Sequence, residues 1–311
     1  MDSINVFAPA SVANLSCGFD ILGLCLEGMG DHFHVKKTAQ KGIRFAAIIG
    51  QQLPRDPLKN VAGIAALAFL KEHPADCGFE ITLQKGIKPG SGIGSSSASA
   101  VGIVHALNEL TELHLPKEKL LPFAMAGESF ASSAAHADNI APALLGGITL
   151  VRSVNPMDIV QIPTPKMLYV AVIHPQIEVK TADARAVLSS TVDFKKSTQQ
   201  SANLGALISG LFLEDYELIG RSLEDVLVEP KRAQLIPHFH SLKKAALNAG
   251  ALGAGISGAG PSLFALTNGK ETAHKVSQAM ARILQDTEIP YQTWVSSINQ
   301  KGTTTTDSYE I

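Results

Sequence analysis

Residues 89–102 read PGSGIGSSSASAVG, with four glycines and five serines, and lead into the helical pattern VGIVHALNEL at residues 101–110. Such a run can be an ordinary turn, because glycine and serine favour loops for local backbone reasons. It can also be an anion site, because glycines leave backbone N–H groups accessible and the first turn of a helix favours negative charge. The glycines precede the helix, and Ser95, Ser96 and Ser97 fall where its N-cap is expected. This order favours a phosphate as the ligand.

The common phosphate-binding and nucleophile motifs do not match this stretch. A Walker A loop needs a lysine after the glycines, and none follows them. A dinucleotide-binding fingerprint needs its third glycine where Ser95 stands. The H-R-D and D-F-G signatures of protein kinases do not occur, and GISGA at residues 255–259 narrowly misses the G-x-S-x-G elbow of hydrolases. These classes are therefore excluded or weakened.

The overall composition describes an ordinary globular protein. The chain has 311 residues, of which 45% are hydrophobic and 17% charged, enough for two domains with a sizeable core. The net charge of −2 argues against nucleic-acid or membrane-surface partners. Three cysteines without metal-ligand spacing favour a reduced, cytoplasmic location. The start MDSINVFAPAS does not resemble a signal peptide, and no apolar run is long enough to span a membrane.

Helix and strand patterns follow one another irregularly, which is typical of the α+β class. Strands are predicted at INVFAPAS, HFHVKKT, FEITLQ, GGITLVRSV, LYVAVIHP, SLFALT and YQTWVSSI. Helices are predicted at residues 61–72, 96–112, 118–132, 198–213, 216–226 and 237–248 and at ETAHKVSQAMARILQ. The polar, proline-containing NPMDIVQIPTPK indicates a passage between two halves. We therefore divide the chain into residues 1–155 and 156–311.

Three motifs stand in a fixed order along the chain: APASVANLSCGFDILGL at residues 8–24, PGSGIGSSSASA at 89–100 and GAGISGAGPS at 253–262. In this order they resemble the motifs of the GHMP small-molecule kinases, and EPKRAQLIPHF and VKTADARAVL extend the similarity over nearly the whole chain. The resemblance implies a two-domain α+β fold, with a ribosomal-protein-S5-like N-terminal domain and a ferredoxin-like C-terminal domain. It also implies ATP between the domains, Mg²⁺, and a homodimer, which is common in the family.

The first motif also indicates a branch of that family. Several of its sugar and mevalonate kinases carry lysine in a pattern like A-P-G-K-V, whereas this chain has Ser11 within APASVANL, as in the branch that phosphorylates homoserine. The resemblance therefore implies ATP-dependent phosphorylation of L-homoserine to O-phospho-L-homoserine, in threonine biosynthesis. Two alternatives remain open: a kinase of this family with another alcohol as substrate, and a non-enzymatic ligand sensor on the same fold.

Five residues match the substrate contacts of the family. A substrate carboxylate calls for arginine, because the planar guanidinium donates two parallel hydrogen bonds. Arg185 and Arg232 match arginines that bind this carboxylate in the family, and Asn14, Asp20 and His136 match its other substrate contacts. Without the resemblance, each of the five fits an ordinary surface or turn position as well.

The resemblance also implies the residues that bind the nucleotide and its metal. The ATP-binding positions are Asn60, Pro89, Gly90, Ser91, Gly92, Ile93, Gly94, Ser95, Ser96, Ser97, Ala98, Ser99, Gly258 and Gly260. Mg²⁺ binds through one or two protein oxygens together with phosphate oxygens and water. The family places it on a glutamate and a serine, here Glu128 and Ser96, with Ser95 as the alternative.

Asp138, in the segment HADN, is the candidate catalytic residue. Some family members use an aspartate in a G-x-D-N-like segment as general base, which typically contributes 10²–10⁴-fold to the rate. The resemblance to the homoserine branch implies no obvious base, and a loose, metaphosphate-like transition state needs little early deprotonation of the hydroxyl. We favour the base-free alternative, in which Asp138 or Asn139 is structural or orients the substrate.

Overall fold

The computed structural model describes residues 1–132 and 136–307, so the last four residues of the expected second domain lie outside it. The strands are β1 (Ser3–Ala13), β2 (Leu22–Thr38), β3 (Gly42–Ile49), β4 (Gly78–Gln84), β5 (Ile148–Val154), β6 (Met157–Ile162), β7 (Leu168–Pro175), β8 (Gly253–Ile256), β9 (Leu263–Asn268), β10 (Tyr291–Ser297) and β11 (Thr304–Thr305). The helices are α1 (Val61–Glu72), α2 (Ser95–Leu110), α3 (Lys117–Ser132), α4 (Ile140–Leu145), α5 (Thr181–Ala186), α6 (Phe194–Leu213), α7 (Tyr216–Ser222), α8 (Glu229–Arg232), α9 (Phe239–Asn248) and α10 (Lys270–Gln285). Among the described residues, no helix is both long and apolar enough to cross a membrane.

The long strand β2 organises the first sheet. It pairs with β1 along one edge, while on the other edge residues 22–24 pair with β5 and residues 32–38 with β4. The strand order is β11-β1-β2-β4-β3, and β6 extends the sheet beyond β5. All of these pairs are antiparallel except β3 with β4. Because β2 pairs with strands on both of its sides, it connects β1 with β4 and β5 in one sheet.

Helix α2 is buried along almost its whole length between the first sheet and helices α1, α3 and α4. Small residues make this position possible, because a Cβ added at Gly102 would overlap the Phe33 ring. Alanines at 98 and 100 are likewise fully buried. The buried helix is therefore a rigid support for the glycine loop at its N-terminus.

The second sheet has the strand order β10-β7-β9-β8, with every pair antiparallel. Its faces follow the two-residue period of a strand: Val170 and Val172 belong to the core shared with the first sheet, and Ala171 and Ile173 to a second core with α9 and α10. This strand order and its packed helices confirm the expected ferredoxin-like arrangement within an α+β fold.

The change from one sheet to the other differs from the sequence-based division after residue 155. Residues 155 and 156 form the turn of a hairpin, and β6 continues the first sheet through Ile162. The passage between the sheets is residues 163–167, and β11 later returns to the first sheet beside β1. The predicted helix at 216–226 also ends early, at Ser222, because the Asp225 carboxylate accepts the backbone N–H groups of residues 227, 228 and 229.

Candidate active site

A cleft of about 310 Å³ lies where the two sheets and their helices meet. Most of the predicted site residues line it: Asn14, Asp20, Asn60, Pro89, Gly90, Gly92, Gly94, Ser95, Ser96, Ser99, Glu128, His136, Asp138, Arg185, Arg232, Gly258 and Gly260. Four predicted nucleotide residues do not line it: Ser91, Ile93, Ser97 and Ala98. Within the described ranges, nine more residues line it that were not predicted as binding residues: Leu53, Pro54, Lys59, Val61, Lys85, Asn139, Val179, Thr181 and Ala259. Segments far apart in sequence thus converge on one cleft.

The glycine loop opens helix α2 differently from the serine cap that the sequence suggested. Gly94 is the N-cap, in a left-handed conformation with φ 73°, and no side chain in the described chain caps the helix. Glycine adopts this conformation without strain, and it places the three serines inside the first turn instead of at the cap. The prediction of a serine N-cap is therefore wrong, and the first-turn N–H groups are left for another acceptor.

The three serines after Gly94 have different partners. Ser96 Oγ and Ser97 Oγ donate to Glu128 Oε2 at 2.8 and 3.0 Å. Ser95 Oγ instead donates to the Ile87 carbonyl at 2.9 Å. Glu128 and Ser96 both line the cleft, so of the two serines considered as partners of a metal, Ser96 is the one beside Glu128.

The third motif holds the glycine loop from the opposite side of the cleft. Ser257 Oγ donates to the Gly92 carbonyl at 2.7 Å, and Ser262 Oγ donates to the Ser91 carbonyl at 2.6 Å. A Cβ added at Gly92 would lie 2.6 Å from two carbonyl oxygens of the third motif. The two motifs therefore pack with their backbones in close approach, which only glycine permits at this position.

A buried ion pair lies beneath the loop. Lys85 Nζ donates to Asp31 Oδ2 at 2.5 Å, to the Ser95 carbonyl at 2.7 Å and to Ser99 Oγ at 3.0 Å. Burial raises the pKa of Asp31 and lowers the pKa of Lys85, while each charge counteracts that effect on its partner. Lys85 follows a strand as a surface lysine would, so no local signal could have identified it.

Charged residues gather at the other end of the cleft. Arg185 donates to both carboxylate oxygens of Asp20 at 3.0 Å and to His136 Nε2 at 2.9 Å. Since arginine can only donate, His136 accepts through Nε2 and carries its hydrogen on Nδ1, which lies 3.6 Å from Asp20. Burial is the main reason that the pKa of His136 is lowered. Arg232 is only 3% exposed, and it donates to the carbonyls of Ala184 and Gly258.

Asp138 lies buried in the wall of the cleft, and its Oδ1 has no hydrogen-bond partner among the described residues. Burial is the largest cause that raises its pKa to about 7, followed by the negative charges of Asp20 and Glu128. Its neighbour Asn139 accepts a hydrogen bond from Ser11 Oγ at 2.8 Å. The cleft therefore holds one carboxyl group that changes its charge near neutral pH.

Two asparagines of the predicted site hold the backbone around the cleft. Asn14 Oδ1 accepts from the Asp20 N–H at 3.0 Å, and its Nδ2 donates to the Gly258 carbonyl at 2.9 Å. Asn60 caps helix α1 by accepting from the Ala62 N–H at 3.0 Å, and it donates to the Pro54 carbonyl. Asn14 thus joins the first and third motifs, and Asn60 fixes the edge of the cleft near α1.

Comparisons with known proteins agree with this arrangement. The family model for the GHMP kinases N terminal domain matches residues 60–147, and the model for the GHMP kinases C terminal matches residues 206–286. Proteins named homoserine kinase from Chlorobium phaeobacteroides (strain BS1) and Chlorobaculum tepidum are 43% and 42% identical to this chain. Each alignment covers 97% of this chain, and 99% and 98% of the respective relative.

A solved structure shows the same similarity in three dimensions. The crystal structure of homoserine kinase from Cytophaga hutchinsonii superimposes with a TM-score of 0.95, at 46% identity and with 98% of each chain covered. The shared fold and the full-length identity together confirm the expected two-part α+β architecture and a kinase that uses ATP as co-substrate. The chain therefore belongs to the GHMP kinase family.

Proposed function

We propose that this protein transfers the terminal phosphoryl group of ATP to the side-chain hydroxyl of L-homoserine, forming O-phospho-L-homoserine and ADP in threonine biosynthesis. One observation carries the proposal: an uncapped helix N-terminus and a cluster of Asp20, Arg185 and Arg232 lie in the same cleft. The first suits phosphates, and the second suits a ligand with both an ammonium and a carboxylate. Relatives named homoserine kinase over their full length support the choice of amino acid.

The nucleotide would occupy the part of the cleft between α1 and the glycine loop. Leu53, Pro54 and Val61 supply an apolar wall for the adenine ring of ATP, with Asn60 at the edge of this wall. The phosphates would bind the first-turn N–H groups of α2 behind Gly94, where the helix dipole favours negative charge. Gly258 and Gly260 would approach them from the second sheet. Ser91, Ile93, Ser97 and Ala98 would support the loop without lining the cleft.

Ser96 at the start of α2 and Glu128 of α3 fit a magnesium ion. Glu128 and Ser96 offer carboxylate and hydroxyl oxygens, the hard donors that Mg²⁺ prefers. No group of three or more His, Cys, Asp or Glu side chains in the described chain is arranged to hold a metal, which suits an ion bound partly by phosphates. When bound, Mg²⁺ would neutralise charge on the phosphate oxygens. Ser97 keeps the Glu128 carboxylate oriented toward Ser96.

The charged end of the cleft suits a zwitterion. Asp20 would accept the homoserine ammonium, and Arg185 and Arg232 would donate to its carboxylate. Arg185 Nε is buried and has no acceptor among the described residues, so a carboxylate would complete its hydrogen bonding. His136, which already accepts from Arg185, would keep this guanidinium oriented, and Asn14 would hold the backbone of Asp20.

We propose that the reaction needs no strong general base. A loose transition state leaves the attacking hydroxyl protonated until late, so positioning and charge stabilisation supply most of the rate. Asp138, with a pKa of about 7, would accept a hydrogen bond from the hydroxyl when ionised and so orient it. Asn139 would be held beside it by Ser11.

A substrate panel tests the proposed function. Purified protein is given MgATP and either L-homoserine, mevalonate, galactose or shikimate, and ADP release and the phosphorylated product are measured. We expect turnover of L-homoserine to exceed that of each other alcohol by far. Faster turnover of another alcohol would assign another substrate, and tight homoserine binding without any turnover would indicate a ligand sensor. The expected homodimer and cytoplasmic location rest on the family resemblance and on composition, and light scattering and cell fractionation test them.

A further inference from the structure

The ring of Phe19 lies beside both arginines that are proposed to bind the substrate carboxylate. The guanidinium carbon of Arg232 lies 5.0 Å from the ring centroid, and that of Arg185 lies 5.6 Å from it. The two arginines come from separate helices, α8 and α5. One aromatic side chain therefore contacts two cations that no single secondary-structure element holds together.

The loop that carries Phe19 is tightly constrained. Asn14, Ser16 and Asp20 adopt left-handed conformations, with φ of 74°, 60° and 62°. Hydrogen bonds from the Gly18 N–H to the Asn14 carbonyl and from the Asp20 N–H to Asn14 Oδ1 close the loop on both sides of Phe19. A Cβ added at Gly18 would overlap the Leu22 side chain. The backbone around Phe19 is thus fixed before any ligand binds.

Two guanidinium groups that share one carboxylate repel each other. Burial is the main cause that lowers the pKa of Arg232, and the charge of Arg185 lowers it further. The face of an aromatic ring carries partial negative charge, and a cation–π contact changes an equilibrium by about 2- to 5-fold at an exposed site and by about 30-fold when desolvated. Asp20 neutralises Arg185 in the free protein, but a substrate ammonium would compete for that carboxylate. In the free protein the ring lies beside both arginines.

We propose that Phe19 is a positioning residue for substrate binding, whose ring face holds Arg185 and Arg232 on the same carboxylate. The proposal rests on the proposed function, since it assigns both arginines to the carboxylate of homoserine. Phe19 does not act on the phosphoryl group, so its effect falls on the affinity for homoserine and leaves the affinity for ATP and the maximal rate unchanged.

The most direct test lowers the electron density of the Phe19 ring while nearly keeping its shape. Incorporation of 3,4,5-trifluorophenylalanine at position 19 weakens the negative ring face and keeps the packing, so we expect KM for homoserine to rise about 3- to 10-fold. Phe19→Leu removes the ring and is expected to raise KM by about 10- to 30-fold, whereas Phe19→Tyr keeps the ring and stays within about threefold of wild type. In all three, kcat and KM for ATP remain within about twofold.

A matched control distinguishes a role of Phe19 in substrate binding from a role in the stability of the fold. Phe45→Leu makes the same change in β3, away from the cleft, and should leave KM for homoserine unchanged. If Phe19→Leu does not fold, the fluorinated protein still decides, because its ring is nearly the size and shape of the wild-type ring. Unchanged KM in the fluorinated protein, or an equal loss of ATP affinity, overturns the proposal. Absence of homoserine turnover in the wild type overturns the proposed function instead.

Discussion

Arg185 and Asp20 form an ion pair across the cleft, with one guanidinium nitrogen 3.0 Å from both carboxylate oxygens. The two residues are 165 positions apart in the chain, one on α5 and the other in the loop after β1. In the free protein each residue therefore satisfies the charge of the other. A zwitterionic substrate can replace this pair with two new ones, so neither charge is left unpaired when it binds.

Removal of the Arg185 charge should act on the amino-acid substrate alone. We expect Arg185→Gln to lower kcat/KM for L-homoserine by an amount equivalent to about 2–4 kcal/mol, because the substrate carboxylate loses charge-assisted hydrogen bonds. Steady-state kinetics with each substrate varied in turn measures this. Arg152→Gln, on the hairpin of β5 and β6, is the control and should have no effect. Equal weakening of ATP binding would assign Arg185 to the nucleotide site instead of the substrate site.

Gly94 should tolerate no side chain. A Cβ there would overlap Ser11 Oγ, so Gly94→Ala is expected to weaken ADP binding by about tenfold or more, since strain of 1–3 kcal/mol falls on the phosphate loop. Gly28 is a matched control, because its φ of 74° is nearly that of Gly94 and a Cβ there meets nothing within 4 Å. Calorimetry with ADP measures both variants. A similar loss of ADP affinity in Gly28→Ala would show that backbone strain far from the phosphate loop is enough to weaken binding.

Glu128 and Ser96 should control the magnesium requirement. Glu128→Gln is expected to remove most activity, with only partial recovery at excess Mg²⁺, because an amide replaces the charged oxygen. Ser96→Ala should raise the Mg²⁺ concentration needed for half-maximal rate. Ser97→Ala removes the other hydrogen bond to Glu128 outside the cleft, so its effect should be smaller. Mg²⁺ titrations at saturating ATP compare the three, and wild-type Mg²⁺ dependence in Glu128→Gln would refute the metal site.

The role of Asp138 in the chemistry can be measured by its amide variant. If no strong base is needed, Asp138→Asn keeps kcat within about tenfold of wild type, below the usual contribution of a general base. The dependence of kcat/KM on pH should show no new ionisation. A fall of about 10³-fold in kcat with unchanged KM for both substrates would instead make Asp138 the base.

Asp138 should also make stability depend on pH. Its pKa is about 7 in the folded protein, above the value near 4 expected when the chain unfolds, so the folded state holds an extra proton between these values. Its contribution is fully present below pH 4 and is lost as the pH rises through 7. We therefore compare the free energy of unfolding of Asp138→Asn with that of wild type by urea unfolding at pH 4 and at pH 8. From pH 4 to pH 8 this difference should shift by about 2–4 kcal/mol in favour of the variant. An equal difference at both pH values would contradict the raised pKa.

Most helices could be predicted from apolar spacing or from long runs of helix-forming residues. Helix α1 spans Val61–Glu72 as expected, and α10 buries Val276, Met280 and Leu284 on one face. The sequence of strand β6 predicts a linker because its segment contains prolines and polar residues, and only Ile162 of the strand is buried. It is an edge strand whose strand partner in the described chain is β5, and a half-exposed edge strand leaves little alternation in the sequence.

Three ordered motifs in the sequence were enough to indicate the family, the kind of reaction and most residues of the cleft. The family, the reaction and the roles of the arginines follow from the resemblance of these motifs to a known kinase family. The residues alone indicate only an anion site, because glycines precede the start of a helix. Only the tertiary structure decided that Ser96 contacts Glu128 while Ser95 does not, that Lys85 is buried against Asp31, and that Phe19 lies beside two arginines. Each of these depends on contacts between residues distant in the chain, where packing and burial set the partner and the charge.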